Sequence, residues 1–114
     1  MKYHIIGNGV FIGPGVITSP YVKIDDLVTI SRKVSIDHHT SIGKFTTINP
    51  GCNIAGGSVI GSNTTIGMGS NIVNDINIGS NTIIGAGSLV TKDIPDNVMA
   101  FGVPAKIIKK IKPY

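Results

Sequence analysis

The sequence predicts an all-β chain, a left-handed parallel β-helix of about five triangular coils closed by a short C-terminal helix. Three observations predict it. An aliphatic residue recurs every six positions without a gap, a small residue stands two places before it, and the composition is poor in charge and rich in glycine.

The six-residue series runs Ile6, Ile12, Thr18, Ile24, Ile30, Ile36, Ile42, Ile48, Ile54, Ile60, Ile66, Ile72, Ile78, Ile84 and Val90, and only Thr18 interrupts it. The small set includes Val22, Val28, Val34, Thr40, Thr46, Cys52, Ser58, Thr64, Ser70, Thr82 and Ser88. Residues two apart on a strand face the same side, so both sets point inward. A period of six is neither helical nor a simple strand alternation. It describes a short strand, a tight corner and another short strand. Gly, Asn and Asp after the aliphatic residue supply turn chemistry for the corner. Three hexapeptides close one coil, and coils stack at roughly 4.8 Å, the inter-strand spacing. One coil cannot bury its apolar side alone, so stacking is what makes the core.

With 114 residues, the chain is expected to be a single domain over 1–114, with repeats over about 6–95 and a C-terminal loop and helix over 96–114. Residues 91–97 are turn-rich and 98–105 read as an extended loop. Apolar residues at 107, 108 and 111 have helical spacing, so a capping helix is expected over 105–112, ended by Pro113.

Charged residues make up 14% of the chain and the formal net charge is +4. Lys106, Lys109, Lys110 and Lys112 cluster near the C-terminus, as a solubilising end or as an attraction for an anionic ligand. Arg occurs only at Arg32, and no basic stripe carries interleaved aromatics, so a nucleic-acid partner is not expected. No apolar run is long enough to span a membrane, and Met1-Lys2-Tyr3-His4 does not open a signal peptide. Cys52 is the single cysteine, which excludes an intrachain disulfide. A cytoplasmic location is the expectation.

The repeat resembles the hexapeptide acyltransferase family. Ile84-Gly85-Ala86-Gly87-Ser88-Leu89-Val90-Thr91-Lys92-Asp93-Ile94-Pro95, followed by Gly102-Val103-Pro104-Ala105-Lys106, is similar to that family's C-terminal signature. More narrowly, Ile36 to Lys110 resembles the catalytic half of bacterial sialic acid O-acetyltransferase-like and UDP-aminosugar N-acetyltransferases. In that branch an acidic residue and a His follow a core aliphatic, and here the element reads Val34-Ser35-Ile36-Asp37-His38-His39. The branch usually carries an N-terminal domain; with the repeat beginning by residue 6, that domain is expected to be absent here. A second departure is Ile72-Val73-Asn74-Asp75-Ile76, where Gly commonly precedes the next aliphatic pair.

The resemblance implies an acetyl-CoA-dependent O- or N-acetyltransferase acting on a sugar or sugar nucleotide. It makes His38 the general base, since an imidazole accepts a proton near pH 7 without a large pKa shift. Asp37 is then the carboxylate that orients it. His39 and Ser31 are candidates for the acceptor side, and His39 reads equally as a surface imidazole. The cofactor side would comprise Gly56, Met68, Gly85 and Ala86 along pantetheine, Thr47 near the thioester, Lys92, Lys106 and Lys109 at the phosphates, and Pro104 and Ala105 beside the adenine. Family members assemble as homotrimers, and a slim prism has little room for a pocket of its own. Each site is therefore expected to join His38 of one chain to corners of the next. Three histidines also raise the γ-class carbonic anhydrase of this fold, but His38 and His39 are adjacent and His4 is nearly two coils away, so no metal is expected. The remaining rival is a non-catalytic β-helical scaffold.

Overall fold

The computed structural model describes residues 4–113. Met1, Lys2 and Tyr3, on which the signal-peptide expectation partly rests, lie outside the described residues, as does Tyr114. Fifteen two-residue strands run from Ile5–Ile6 to Leu89–Val90, each ending on the six-residue aliphatic series. They form three parallel sheets, one per face of a left-handed triangular prism. Register is uniform: Lys23 pairs with Ser41, Ser41 with Val59 and Val59 with Asn77 on the first face, always 18 residues apart. The second face begins at Phe11–Ile12 and the third at Ile17–Thr18.

The core is the predicted column. Every series member from Ile24 to Val90 is buried, as are Val22, Val28, Val34 and Cys52. The first coil differs because no described residue stacks above it: Ile5, Ile6, Phe11, Ile12 and Ile17 are all exposed. Inward hydroxyls have partners the repeat did not announce. Thr46 Oγ1 donates to Gly61 O (2.6 Å), Thr64 Oγ1 to Gly79 O (2.7 Å) and Thr82 Oγ1 to Pro95 O (2.8 Å). Cys52 Sγ takes the same place, 3.1 Å from Gly67 O. The inward hydroxyls and thiol from Thr40 to Thr82 therefore tie one coil to a corner carbonyl of the next, so that their buried polar atoms are matched.

Corners follow one rule. Every sixth residue from Gly9 to Gly87 has a positive φ, including Tyr21, Leu27, Lys33, His39 and Phe45. Glycine right after the aliphatic residue has another cause. A Cβ on Gly67 would lie 2.5 Å from the backbone nitrogen of Ala86, so the close approach of the next coil forbids it.

The C-terminus corrects the sequence reading. Ala105–Lys110 is a strand, not a helix, and Val98–Gly102 is a strand rather than a loop. Val98–Gly102 extends the second face in parallel with Ile83–Ile84, and Ala105–Lys110 returns antiparallel to it, with a bulge between Met99 and Ala100. Two causes outweigh the helical spacing. Val98–Gly102 offers an open row of backbone donors and acceptors that a hairpin satisfies at once. Ile107 and Ile108 are β-branched and both remain exposed, so no apolar stripe is available for a helix to bury.

Candidate active site

The 18-residue register decides which residues meet. At the corner between the third and first faces, Ser19, Asp37 and Ala55 stack in one column, His38 and Gly56 in the next, and Tyr21, His39 and Gly57 in a third. His38 follows the inward Ile36, as the sequence predicts, and projects at the exposed rim. Its ring lies over the glycine of the coil below: a Cβ on Gly56 would be 2.8 Å from His38 Cε1 and 3.0 Å from Nε2. Gly56 is thus the seat of the imidazole.

Asp37 Oδ1 accepts from the backbone N–H of His38 (3.0 Å) and from the Ser19 hydroxyl (3.0 Å). These donors, the His38 backbone first, hold its carboxyl below the ordinary aspartate value, helped by the nearby imidazole. His38 Nδ1 lies 3.1 Å from His39 Nδ1, with the two rings nearly perpendicular at 83°. His39 in turn stacks on Tyr21, at 5.0 Å between centroids and 18° between planes. His4 takes no part in this cluster, and its Nε2 donates to Ser19 O at 2.7 Å.

The other predicted residues lie elsewhere on the prism. Ser31, Met68, Gly85 and Ala86 occupy the corner between the second and third faces, and Thr47 lies in a strand of the second face. Lys92 comes just after Leu89–Val90, at the histidine corner several coils below His38. Pro104 sits in the hairpin turn, with Ala105 and Lys106 in the returning strand. One chain therefore does not gather the predicted set around His38.

The methionine corner has features of its own. A cavity of about 460 Å³ there is lined by Arg32, Lys33, Pro50, Gly51, Met68 and Gly69. A Cβ on Gly51, Gly69 or Gly87 would meet nothing within 4 Å, so successive coils present a bare backbone strip. Two cations at one end of such a strip suit a ligand with a narrow uncharged arm and a phosphate head. Arg32 and Lys33 were missed by the sequence reading, as were Ser19 and Tyr21. The last two are legible by stepping 18 residues back from Asp37 and His39.

Among the described residues no cluster of three or more His, Cys, Asp or Glu side chains is placed to hold a metal ion. No helix there is long and apolar enough to cross a membrane.

The family model for bacterial transferase hexapeptide (six repeats) matches residues 39–74 and again 57–92. The chain thus carries the repeats of that family over residues 39–92. Solved structures resemble the chain as well. PerB from Caulobacter crescentus, in complex with CoA and GDP-perosamine, is 30% identical at a TM-score of 0.75, over 92% of this chain and 58% of PerB. The acetyltransferase domain of PglB from Neisseria gonorrhoeae, in complex with acetyl coenzyme A, is 29% identical at a TM-score of 0.93, over 95% and 53%. A maltose O-acetyltransferase from Clostridium difficile is 25% identical at a TM-score of 0.73, over 98% and 72%. The hexapeptide protein spans somewhat over half the length of the first two structures. No curated protein sequence matches it.

Proposed function

We propose that the protein transfers an acetyl group from acetyl-CoA to a hydroxyl or amine of a sugar or sugar nucleotide, with His38 as the general base. The observation that carries this reading is the seating of His38: an exposed imidazole held over Gly56, with one ring nitrogen already engaged by His39. A corner residue kept only for solubility needs no glycine beneath it. The CoA, acetyl-CoA and GDP-perosamine bound to PerB and PglB support the choice of donor and acceptor class.

The reaction is a direct transfer. The acceptor oxygen or nitrogen attacks the thioester carbonyl carbon while His38 Nε2 takes the proton it loses. The C–S bond then breaks, and the same proton passes from His38 to the departing CoA sulfur. Asp37, kept ionised by its Ser19 and backbone donors, places negative charge beside the imidazolium that forms. The bare strip of Gly51, Gly69 and Gly87 suits pantetheine, and Arg32 and Lys33 suit the phosphates. Because that strip and His38 occupy different corners of one prism, we assign the complete site to a homotrimer, His38 from one chain facing the methionine corner of its neighbour.

The test is acetyl-CoA turnover, read as free CoA release, against a panel of sugars and sugar nucleotides. His38→Ala is expected to lower kcat by about 10²–10⁴-fold while leaving the thermal shift caused by acetyl-CoA nearly intact. Full activity of His38→Ala on an acceptor the wild type acetylates would end the reading.

A further inference from the structure

Acting through its Nε2, His38 must carry its remaining proton on Nδ1. We propose that His39 fixes that tautomer, with Tyr21 fixing His39 in turn. The inference rests on the assignment of His38 as base. Two ring nitrogens 3.1 Å apart cannot both be donors or both be bare acceptors, so one proton lies between them. With His38 acting through Nε2 its proton is on Nδ1, so Nδ1 of His39 is the acceptor and His39 carries its own proton on Nε2, as a free imidazole prefers. The His38 lone pair is then on Nε2, the ring atom that lies beside Gly56. His39 thus takes the tautomer an imidazole prefers and imposes the less favoured one on His38.

Geometry supports the division of roles. The Asp37 carboxylate oxygen Oδ1 is occupied by the Ser19 hydroxyl and the His38 backbone, while the His38 ring meets His39. The near-parallel stack on Tyr21 orients the His39 ring plane and hence its lone pair. The arrangement also rewards the transition state. As His38 gains a proton, its Nδ1–H bond to neutral His39 becomes charge-assisted and strengthens. His39 is therefore a positioning residue that never touches the acceptor.

The experiment reads the tautomer directly, by long-range proton–nitrogen correlation NMR on ¹⁵N-histidine-labelled protein at a pH where both rings are neutral. The chain has three histidines, so a His4→Gln variant completes the assignment. The wild type is expected to show His38 protonated on Nδ1. His39→Phe keeps an aromatic ring for Tyr21 in a backbone conformation that Phe45 already adopts, and removes the acceptor. It should move His38 toward Nε2–H and lower kcat about tenfold or more, with KM for acetyl-CoA unchanged. His39→Asn places an acceptor oxygen near the lost nitrogen and should restore the Nδ1–H tautomer and most of kcat. A wild-type His38 protonated on Nε2, or a His39→Phe protein with unchanged spectrum and kcat, overturns the proposal. An inactive His38→Ala beside an unaffected His39→Phe would leave the base assignment standing and this inference fallen.

Discussion

At the scale of single residues, the site depends on what is missing as much as on what is present. Gly56 offers no side chain, and the His38 ring fills the space. Gly56→Ala would put a methyl against Cε1, Nε2 and the His38 carbonyl oxygen, and the flexible ring is what yields. Because a displacement near 1 Å can cost about 10²-fold, kcat of Gly56→Ala should fall by about that factor while the protein stays folded. Wild-type kcat in this variant would mean the seat is irrelevant. The place of His38 at the exposed rim was legible because it stands two residues after an inward isoleucine. Its ring partner was not, because the sequence places Asp37, His38 and His39 side by side and side-chain direction is set by the corner. His39 has φ 58° at a position glycine often fills, and nothing in the residue name signals that conformation. Tyr21, Leu27, Lys33 and Phe45 hide the same corner equally well.

At the scale of elements, the isoleucine column was legible at every step because burial repeats with the sequence period. The hydroxyls between coils were legible as small inward residues but not as a bonding system. Thr64 shows what they do. Its Oγ1 donates to Gly79 O and accepts from Thr82 N, tying its coil to the next by two bonds. Thr64→Val keeps the shape and strands a buried carbonyl and a buried N–H. It should destabilise the protein by about 1–3 kcal/mol, measured by chemical denaturation, whereas Thr64→Ser should lose less. A Thr64→Val protein as stable as wild type would show that the carbonyl finds another donor. The C-terminal strands were misread as loop and helix because spacing was weighed on its own. Pairing with the free edge of Ile83–Ile84 is a long-range fact that no local window contains.

On the scale of the whole molecule, the prism separates what the proposed chemistry must bring together. His38 sits at one corner and the cationic, glycine-lined strip at another, with the third face between them. The proposed trimer predicts a sedimentation mass three times the 11.9 kDa of the chain. It also predicts complementation between subunits. His38→Ala is dead by loss of the base, and Gly69→Tyr, at a corner position where Tyr21 shows that a tyrosine fits, obstructs the strip. Mixed by unfolding and refolding together, the two inactive proteins should regain part of the activity, because some interfaces pair an intact His38 with an intact Gly69. A stable monomer that turns over acetyl-CoA, or mixtures that stay dead, would contradict a shared site.

The constant register also governs how a gene for this protein can change in length. Gain or loss of a full 18-residue turn outside residues 21–57 leaves each column aligned, so Tyr21 still meets His39 and His39 still overlies Gly57. Gain or loss of a single hexapeptide keeps every isoleucine pointing inward. It nevertheless turns everything downstream by one face, so a histidine and the glycine meant to lie beneath it end on different sides. The parallel register departs from the count at the last turn, where Ile78 pairs with Ile94, Ile83 with Met99 and Ile84 with Ala100, each across 16 residues. That slip falls after the His38, Gly56 and Gly69 corners have been laid down, where a change of phase no longer disturbs them. Insertions and deletions are thus filtered twice, once by the core in units of six and again by the site in units of eighteen.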